Sequence, residues 1–409
     1  MPRPGWRKQP VDSRLTDHIS IGVLTRTLTK DLIDEILLGC NKVQQRIRLL
    51  PSRVVMYYVL AMSLYPQDAY EEVMRHLVEG LRWQDQFRSS WNVPSKAAIF
   101  KARMRLGAEP MKKLFSSVAK PLASPGTPGS FYRGLRLVAI DGTTLDVSDS
   151  PANLAHFTKP TTPIGSAANA KARVVGLVEC GTHAIFRAEV GPYSVAEQVL
   201  AREVVPYLKK GMLCIADRGL FGYELWKQAS EGGAELLWRA KSNYRIEMVG
   251  ELEDGSYLGN VYHHKDRARK RPLLLRVIEY KITEGEDPDS FYRLFCTITD
   301  PTQAPAAELA ALYGQRWEIE SAFDELKAHQ NESRRVLRSQ SPELVYQEVW
   351  GILALHFAIR ALMCDVADSA GRDPDRLSFV GSLRAARRSA TTSPGFSPSA
   401  LSGSIHQGL

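Results

Sequence analysis

The chain has 409 residues, a formal net charge of +8, 44% hydrophobic residues and 24% charged residues. This length is sufficient for two or three domains with at least one sizeable core, and the composition is ordinary for a soluble globular protein. The excess of positive charge favours an acidic partner, with nucleic acid as the leading candidate.

The cysteine and hydropathy patterns argue against several classes of protein. The five cysteines are scattered and include no C-x-x-C pair, so neither a zinc site nor a disulfide framework is indicated. The first thirty residues lack the apolar core of a signal peptide. The most apolar run, residues 349–364, contains His356 and Arg360 and is predicted to be a core helix rather than a membrane span. A cytoplasmic protein without membrane contact is expected.

Residues 1–120 have the apolar spacing of a helical domain. Ser95 is expected to cap a helix over residues 96–106. That helix is basic, with Lys96, Lys101, Arg103 and Arg105. A short helix, a turn and a basic helix are the outline of a helix-turn-helix DNA-binding motif, and a small helical domain with a solvated basic face is the alternative. The Pro-, Gly- and Ser-rich residues 121–134 are predicted to be a linker.

After the linker the apolar pattern changes from helical to strand-like. The strand candidates are residues 135–140, 143–148, 171–180, 184–190, 212–216 and 234–240, and the helix candidates are residues 195–207 and 221–232. Residues 151–170 are predicted to be a polar loop. Strands that first meander and then alternate with helices predict an α/β fold with a mixed sheet flanked by helices over residues 135–240.

The second half of the chain contains a β-rich insertion at residues 241–299, between segments of the α/β domain. Its basic cluster at residues 263–271 predicts either a solvated hairpin tip or a loop that contacts phosphates. Residues 300–372 are predicted to complete the domain with C-terminal helices. The tail, residues 373–409, is first basic and then rich in Ser, Pro and Gly, and is predicted to be disordered.

Residues 306–330 are predicted to form a single helix with an unusual polar stripe. At roughly 100° per residue, Tyr313, Arg316, Glu320 and Lys327 share an arc about 60° wide and extend over about 21 Å. Such a stripe suits a polyanion that lies along the helix while a metal ion binds the carboxylate.

Two further carboxylates occupy positions that suit a metal site. Asp141 and Asp217 each follow a short apolar strand and are predicted to lie in exposed turns at the sheet edge. If the two strands are neighbours, the pair comes within reach of shared metal ions, and Glu320 would join them from a helix beside the sheet. Three carboxylates suit Mg²⁺ better than zinc. An Asp-Gly pair after a strand is also a common turn, so the residues alone leave both interpretations open.

Three sequence blocks resemble the signature of IS4-family DDE transposases. They are a strand followed by Asp141-Gly-Thr-Thr, a strand followed by Ala216-Asp217-Arg218-Gly219, and Tyr313-x2-Arg316-x3-Glu320-x6-Lys327. The resemblance covers roughly residues 20–385. It implies an RNase H-like core with an all-helical N-terminal domain that binds DNA ends, and a β-rich insertion between the second and third acidic residues.

The resemblance also implies the roles of site residues. Asp141, Asp217 and Glu320 would be catalytic and bind two Mg²⁺ ions, for which Mn²⁺ can substitute. Tyr313, Arg316 and Lys327 would hold the phosphates of the transposon end. Arg218 would contact a phosphate or brace the Asp217 turn. Other candidates for DNA contact are Lys159 and Lys171 by charge, and Trp238 and Trp317 by stacking on a displaced base, although core packing is the favoured role for both tryptophans.

The function implied is that of a bacterial insertion-sequence transposase. It would bind terminal inverted repeats and target DNA as a homodimer, in the cytoplasm and at the nucleoid, and catalyse strand cleavage and strand transfer by two-metal phosphoryl transfer. One alternative is a catalytically silent, truncated or domesticated DNA-binding protein. Another is an RNase H-like nuclease that cleaves without joining.

Overall fold

A computed structural model describes residues 21–43, 49–79, 93–162, 165–281, 291–329 and 336–392 of the chain. Its α-helices are α1 (Lys30–Gly39), α2 (Ser52–Leu64), α3 (Tyr70–Glu79), α4 (Lys96–Leu106), α5 (Glu109–Val118), α6 (Pro151–Phe157), α7 (Glu197–Val204), α8 (Tyr223–Ser230), α9 (Ala306–Leu312), α10 (Trp317–Asp324), α11 (Pro342–Ala370) and α12 (Phe379–Thr392). Its strands are β1 (Phe131–Tyr132), β2 (Leu135–Val147), β3 (Thr161–Thr162), β4 (Gly165–Ser166), β5 (Ala170–Glu179), β6 (Ala184–Pro192), β7 (Met212–Ala216), β8 (Glu235–Arg239), β9 (Glu247–Glu251), β10 (Tyr257–Val261), β11 (Leu273–Lys281) and β12 (Phe291–Cys296).

Ten of the described strands form one mixed sheet in the order β6-β5-β2-β7-β8-β12-β11-β10-β9, with β1 paired to β2. Strands β6, β5 and β2 are antiparallel neighbours, whereas β2, β7 and β8 run parallel. The parallel strands are connected through α7 and α8, as parallel pairing requires a crossover. This arrangement confirms the predicted α/β class with a mixed sheet flanked by helices.

The predicted β-rich insertion extends the central sheet. Strand β12 pairs antiparallel with β8, for example Phe295 with Trp238, and β11, β10 and β9 follow as successive antiparallel neighbours. Backbone groups at the β8 edge are thus satisfied by the insertion. Residues 282–290 of the insertion lie outside the described part of the chain.

Asp141 and Gly142 do not form the predicted turn. Strand β2 continues through both residues because its antiparallel pairing with β5 runs without a break from Val138↔Glu179 to Val147↔Ala170. An Asp-Gly pair favours turns only locally, and here the hydrogen bonds of a long strand pair outweigh that preference. Asp141 therefore lies inside a strand rather than beyond its end.

The sheet separates two hydrophobic layers. Side chains such as Ile140, Leu177 and Trp238 pack under α7 and α8 on one face. On the opposite face, residues such as Ala139 and Ile215 share a core with α10, α11 and the N-terminal helices. Alternate residues of a strand point to opposite faces, so Asp141 follows Ala139 toward the α10 side while Gly142 faces α7.

Helix α11 is the centre of the larger layer. It is the one described helix long and apolar enough to cross a bilayer, but 78% of its most apolar window is buried within the fold. Arg103 of α4 is also buried there and donates hydrogen bonds to Gln347 and Ser339. Of the basic residues predicted on the possible DNA-reading helix, Arg103 is thus committed to packing α4 against α11.

Two segments are more regular than predicted. Part of the expected polar loop, residues 151–170, forms α6, whose first turn is capped by the Ser150 hydroxyl accepting from Asn153 N at 3.2 Å. Part of the expected disordered tail forms α12, which is held by the N-terminal helices: the Tyr65 hydroxyl donates to Arg387 O at 2.7 Å. Contacts between segments more than 300 residues apart in sequence cannot be read from the local apolar pattern of the tail. Residues 393–409 lie outside the described part of the chain.

Candidate active site

Asp141 and Asp217 lie side by side on neighbouring parallel strands. The parallel register of β2 and β7 ends with Ile140 opposite Ala216; Asp141 is the next residue of β2, and Asp217 is the first residue after β7. Both follow a short buried apolar run, which fixes their backbones while leaving the side chains half-buried at the edge of the pairing. The expectation that adjacent strands bring these carboxylates together agrees with the geometry.

The environment of Asp141 disfavours its charged form. Burial, and to a lesser degree the negative charges of Glu197 and Asp217, raise the pKa of Asp141 to about 6, although Gly142 N donates a hydrogen bond to Oδ1 at 2.8 Å. Carboxylates gathered in a partly desolvated site repel one another, so a positive charge is needed to stabilise the fully ionised set.

The segment predicted as one helix is helical but irregular. Residues Tyr313–Arg316 form a 3-10 turn between α9 and α10, and Glu325–His329 form a π-helical turn after α10. Because these turns contain different numbers of residues from an α-helical turn, a constant 100° per residue does not describe the stripe. The π turn begins at Glu325, whose carboxylate is fixed by buried partners.

Arg316 connects the third carboxylate to the first. Its Nη1 lies 2.7 Å from Glu320 Oε1 and 3.8 Å from Asp141 Oδ2. One guanidinium nitrogen thus reaches both acids, which places Glu320 beside the aspartate pair. A cation shared by Asp141 and Glu320 would require this guanidinium to move away from them.

Tyr313 contacts the second carboxylate. It is buried, and its hydroxyl donates a long hydrogen bond of 3.4 Å to Asp217 Oδ1. Burial and the charge of Asp217 raise the pKa of Tyr313, so the side chain stays a neutral donor. Of the other two predicted DNA contacts, Arg218 is exposed in the turn after Asp217, and Lys327 is partly buried in the π turn.

The structure brings one further acid to the site that the sequence analysis did not single out. Glu197 is the first residue of α7, and a Cβ on Gly142 would lie 2.0 Å from its Oε1. Only glycine therefore permits this approach. The sequence signal was a lone glutamate in a first helical turn, which the helix dipole explains equally well.

The other candidates for DNA contact differ in exposure and in their ion pairs. Trp238 is fully buried, whereas Trp317 is 63% exposed, so the core-packing interpretation is wrong for Trp317. Trp317 lies 5.3 Å from the Arg316 guanidinium. Lys159 and Lys171 form ion pairs with Asp149 and Asp146, respectively, rather than standing free.

A second cluster of ionisable residues lies beneath α10. His183 Nε2 is 2.7 Å from Glu318 and 3.5 Å from Asp375, and its Nδ1 is 3.3 Å from Glu325. Glu325 also pairs with Arg360. Three of these groups have the proximity of a metal site.

The carboxylates around His183 favour its protonated form. Burial alone would lower its pKa, but hydrogen bonds to Glu318 and Glu325 outweigh burial and raise the pKa to about 9. A protonated imidazole has no lone pair for a metal ion. The cluster is better described as a buried ion-pair network that fixes α10, and hence Glu320, against α11.

The raised pKa of His183 predicts a pH-dependent stability. The folded state holds a proton that the unfolded state releases between about pH 6.5 and 9, so the contribution is full below this window and disappears above it. Relative to His183→Gln, the wild type should lose about 3 kcal/mol of unfolding free energy across the window. Urea denaturation at several pH values measures this, and parallel pH profiles for the two proteins would contradict it.

Comparison with known proteins agrees with this architecture. The chain matches the family described as "Insertion element 4 transposase N-terminal" over residues 18–116 and the "Transposase DDE domain" over residues 132–357. It is 28% identical to transposase InsG for insertion sequence element IS4 of Escherichia coli K12 over 374 residues, 91% of this chain and 83% of that protein. It is 24% identical to putative transposase InsZ of the same organism, over 59% of this chain and 82% of that protein.

Among solved structures, the cryo-EM synaptic complex of piggyBac transposase with hairpin DNA is similar with a TM-score of 0.47 and 12% identity, over 94% of this chain and 84% of that chain. The DDE domain match covers more than half of the chain, so this protein is a DDE transposase, an enzyme of DNA strand cleavage and transfer. Together with the N-terminal match, it belongs to the IS4 family.

Proposed function

We propose that this protein is the transposase of an insertion sequence, which binds the terminal inverted repeats and catalyses Mg²⁺-dependent strand cleavage and strand transfer. The observation that supports this most directly is the convergence of Asp141, Asp217 and Glu320 from two parallel strands and one helix. Asp141 and Asp217 are 76 residues apart and Asp217 and Glu320 are 103 residues apart, and the fold itself does not require carboxylates at these three positions.

The donor set fits a divalent cation. A DDE domain implies divalent metal use, and Asp141, Asp217 and Glu320 offer hard oxygen ligands of the kind that Mg²⁺ and Mn²⁺ prefer. Burial, with the charges of Glu197 and Asp217 adding to it, raises the pKa of Asp141, so a bound cation would stabilise its ionised form. Two bound ions would activate the attacking hydroxyl and stabilise the leaving oxygen of an in-line phosphoryl displacement.

The neighbouring side chains would position the DNA. If Arg316 moves away from Glu320 and Asp141, its guanidinium can pair with a DNA phosphate bound next to the carboxylates, because a guanidinium matches phosphate geometry. Tyr313 would orient Asp217 through its hydrogen bond and offer its hydroxyl to the same phosphate. Lys327 and Arg218 would contact phosphates further along the strand, and exposed Trp317 offers a stacking surface for a base.

A cleft beside the site has the chemistry of a nucleic-acid groove. It encloses about 1080 Å³ between α7, α8 and the predicted basic loop, and its lining includes four arginines, Arg202, Arg245, Arg267 and Arg269. Tyr223, Tyr244 and Tyr262 line it as well, and so do Glu224, Glu247 and Asp266. The mixed charge and the aromatic rings suit a DNA strand held by stacking as well as by phosphate contacts. The lining residue Gln198 donates to Gly219 O at 3.1 Å, which joins the cleft to the Asp217 turn.

Removing two cleft arginines should weaken DNA binding without changing sequence preference. In the double variant Arg245→Ala, Arg267→Ala, the slope of log affinity against log salt should become shallower by about 2, because each lost phosphate contact removes about one unit. Fluorescence anisotropy at several salt concentrations measures this. The matched control is Lys209→Ala, Lys210→Ala, which removes the same charge just before the start of β7, at the end of the strand away from Asp217. Equal effects of both double variants would exclude a specific role for the cleft.

The test of the proposed function is a reaction on DNA that carries the element's terminal inverted repeats. With Mg²⁺, purified protein should nick and join this DNA, and EDTA should abolish both reactions. Specific binding without cleavage in Mg²⁺ or Mn²⁺ would favour a silent DNA-binding protein instead. Cleavage without any joined product would favour a nuclease. Light scattering of the protein with and without repeat DNA tests the proposed homodimer in the same samples.

A further inference from the structure

Glu197 occupies a defined position at the edge of the proposed metal site. Its helix, α7, is anchored by buried Leu200 and Ala201, and by the hydrogen bond from Gln198 to the Asp217 turn. The carboxylate lies directly over Gly142, where a Cβ would meet its Oε1 at 2.0 Å and its Cδ at 2.7 Å. The neighbouring residue in the strand is Asp141. The side chain keeps 27% of its surface exposed, so a ligand can reach it.

Glu197 has modest structural partners at this position. The backbone amide of Gly142, which donates to Asp141 Oδ1, also donates to the Glu197 carboxylate, and Arg173 Nη1 lies 3.9 Å from Oε2, too long for a hydrogen bond. A favourable interaction with the helix dipole is available to any first-turn carboxylate and does not require an approach to Gly142. Against these modest gains, the like charges of Asp141 and Asp217 lie close by. The arrangement costs free energy unless a cation shares it.

The two acids approach the same strand edge from opposite faces of the sheet. Asp141 projects toward α10, and Glu197 arrives from the α7 side over the glycine that follows it. Arg316 holds Glu320 and one oxygen of Asp141, so its positive charge is on the α10 side. The two carboxylates meet at the amide of Gly142, with Asp217 close by, and Arg173 is the described cation that pairs with Glu197.

We propose that Glu197 is a fourth carboxylate of the metal site and binds a divalent cation together with Asp141 and Asp217. This rests on the metal-dependent chemistry proposed above. Four carboxylates match the charge of two divalent cations, and Gly142 is the residue that makes room for the fourth.

The experiment measures Mn²⁺ binding directly, without DNA and without turnover. Free Mn²⁺ is followed by electron paramagnetic resonance while it is titrated with wild type, Glu197→Gln, Asp141→Asn and Glu203→Gln. Glu197→Gln is expected to weaken binding by about tenfold or more, as is usual when a residue at a metal site is lost. Glu203 lies on the same helix with an exposed side chain, and its replacement should leave binding unchanged.

The aspartate variant separates the two proposals. If Asp141→Asn weakens Mn²⁺ binding and Glu197→Gln does not, the fourth carboxylate is refuted while the metal site stands. If neither variant changes binding, the metal site itself fails.

Thermal unfolding distinguishes a metal-binding role of Glu197 from a structural role, because the two roles predict opposite changes in melting temperature. Without metal, Glu197→Gln should melt no lower than wild type because it removes like-charge repulsion, and its stabilisation by Mn²⁺ should shrink. A lower melting temperature without metal, with undiminished Mn²⁺ stabilisation, would assign Glu197 to packing. Gly142→Ala, which must displace the Glu197 carboxylate, should weaken Mn²⁺ binding in the same direction.

Discussion

Replacing Glu320 by glutamine should lower DNA strand cleavage by at least about a thousandfold, since the loss of a metal-binding carboxylate removes several kcal/mol of transition-state stabilisation. Glutamine keeps the size of the side chain and a hydrogen-bond acceptor for Arg316, so the fold should persist. Quantifying nicked terminal-repeat DNA under single-turnover conditions with Mg²⁺ measures the effect. Asp141→Asn and Asp217→Asn should be equally inactive because the three carboxylates act as one unit.

The matched control for Glu320 is Asp324→Asn. Asp324 lies one turn further along α10, with an exposed side chain that is no part of the carboxylate cluster. Its replacement removes the same charge from the same helix and should leave cleavage within a few-fold of wild type. Comparable losses in both variants would mean that the charge of α10, rather than the position of Glu320, governs the reaction.

Replacing Glu325 by glutamine should destabilise the protein by about 3 kcal/mol or more. Burial opposes the ionisation of Glu325, but hydrogen bonds from His183 and His356 and the charge of Arg360 outweigh it and lower its pKa. The variant leaves Arg360 buried without its carboxylate, and removing one partner of a buried ion pair typically costs about 3–5 kcal/mol. Because the ionised form is the stabilised one, this contribution is present at neutral pH and is lost on acidification below the usual glutamate pKa.

Chemical denaturation at pH 7 measures the loss, with Asp365→Asn as the control. Asp365 is an exposed acid of α11, the helix that carries Arg360, and its replacement should change the unfolding free energy by no more than about 0.5 kcal/mol. If Glu325→Gln is no less stable than this control, the network does not stabilise the fold. The variant should also reduce cleavage, because the network fixes the π turn five residues after Glu320.

Several features were predictable because their causes are local. The apolar runs before Asp141 and Asp217 form β2 and β7, since hydrophobic runs of this length and composition favour buried strands. The helical positions of Tyr313 and Glu320 follow from the helical spacing of the apolar residues Leu312, Ile319 and Phe323. The β-rich character of residues 241–299 was visible in the alternation of polar and apolar residues. Each of these depends on neighbours within a few positions.

Other features depend on contacts that no local pattern contains. The turn predicted at Asp141-Gly142 is replaced by a continuous strand because β5 supplies hydrogen bonds on that side. The tail helix α12 exists against Tyr65 and its neighbours, over 300 residues away. Trp238 and Trp317 are the same residue type, yet Trp238 is buried on strand β8 and Trp317 faces solvent.

The sequence by itself determined the class of fold, because strand and helix periodicity are properties of short segments, and the resemblance of three sequence blocks to a family signature singled out three carboxylates as candidates. Only the tertiary structure decided that β2 and β7 are neighbours, that Arg316 joins Asp141 to Glu320, and that Glu197 reaches the site over Gly142. These are pairings between distant segments, and their free energy comes from burial and charge in the assembled protein rather than from any stretch of chain.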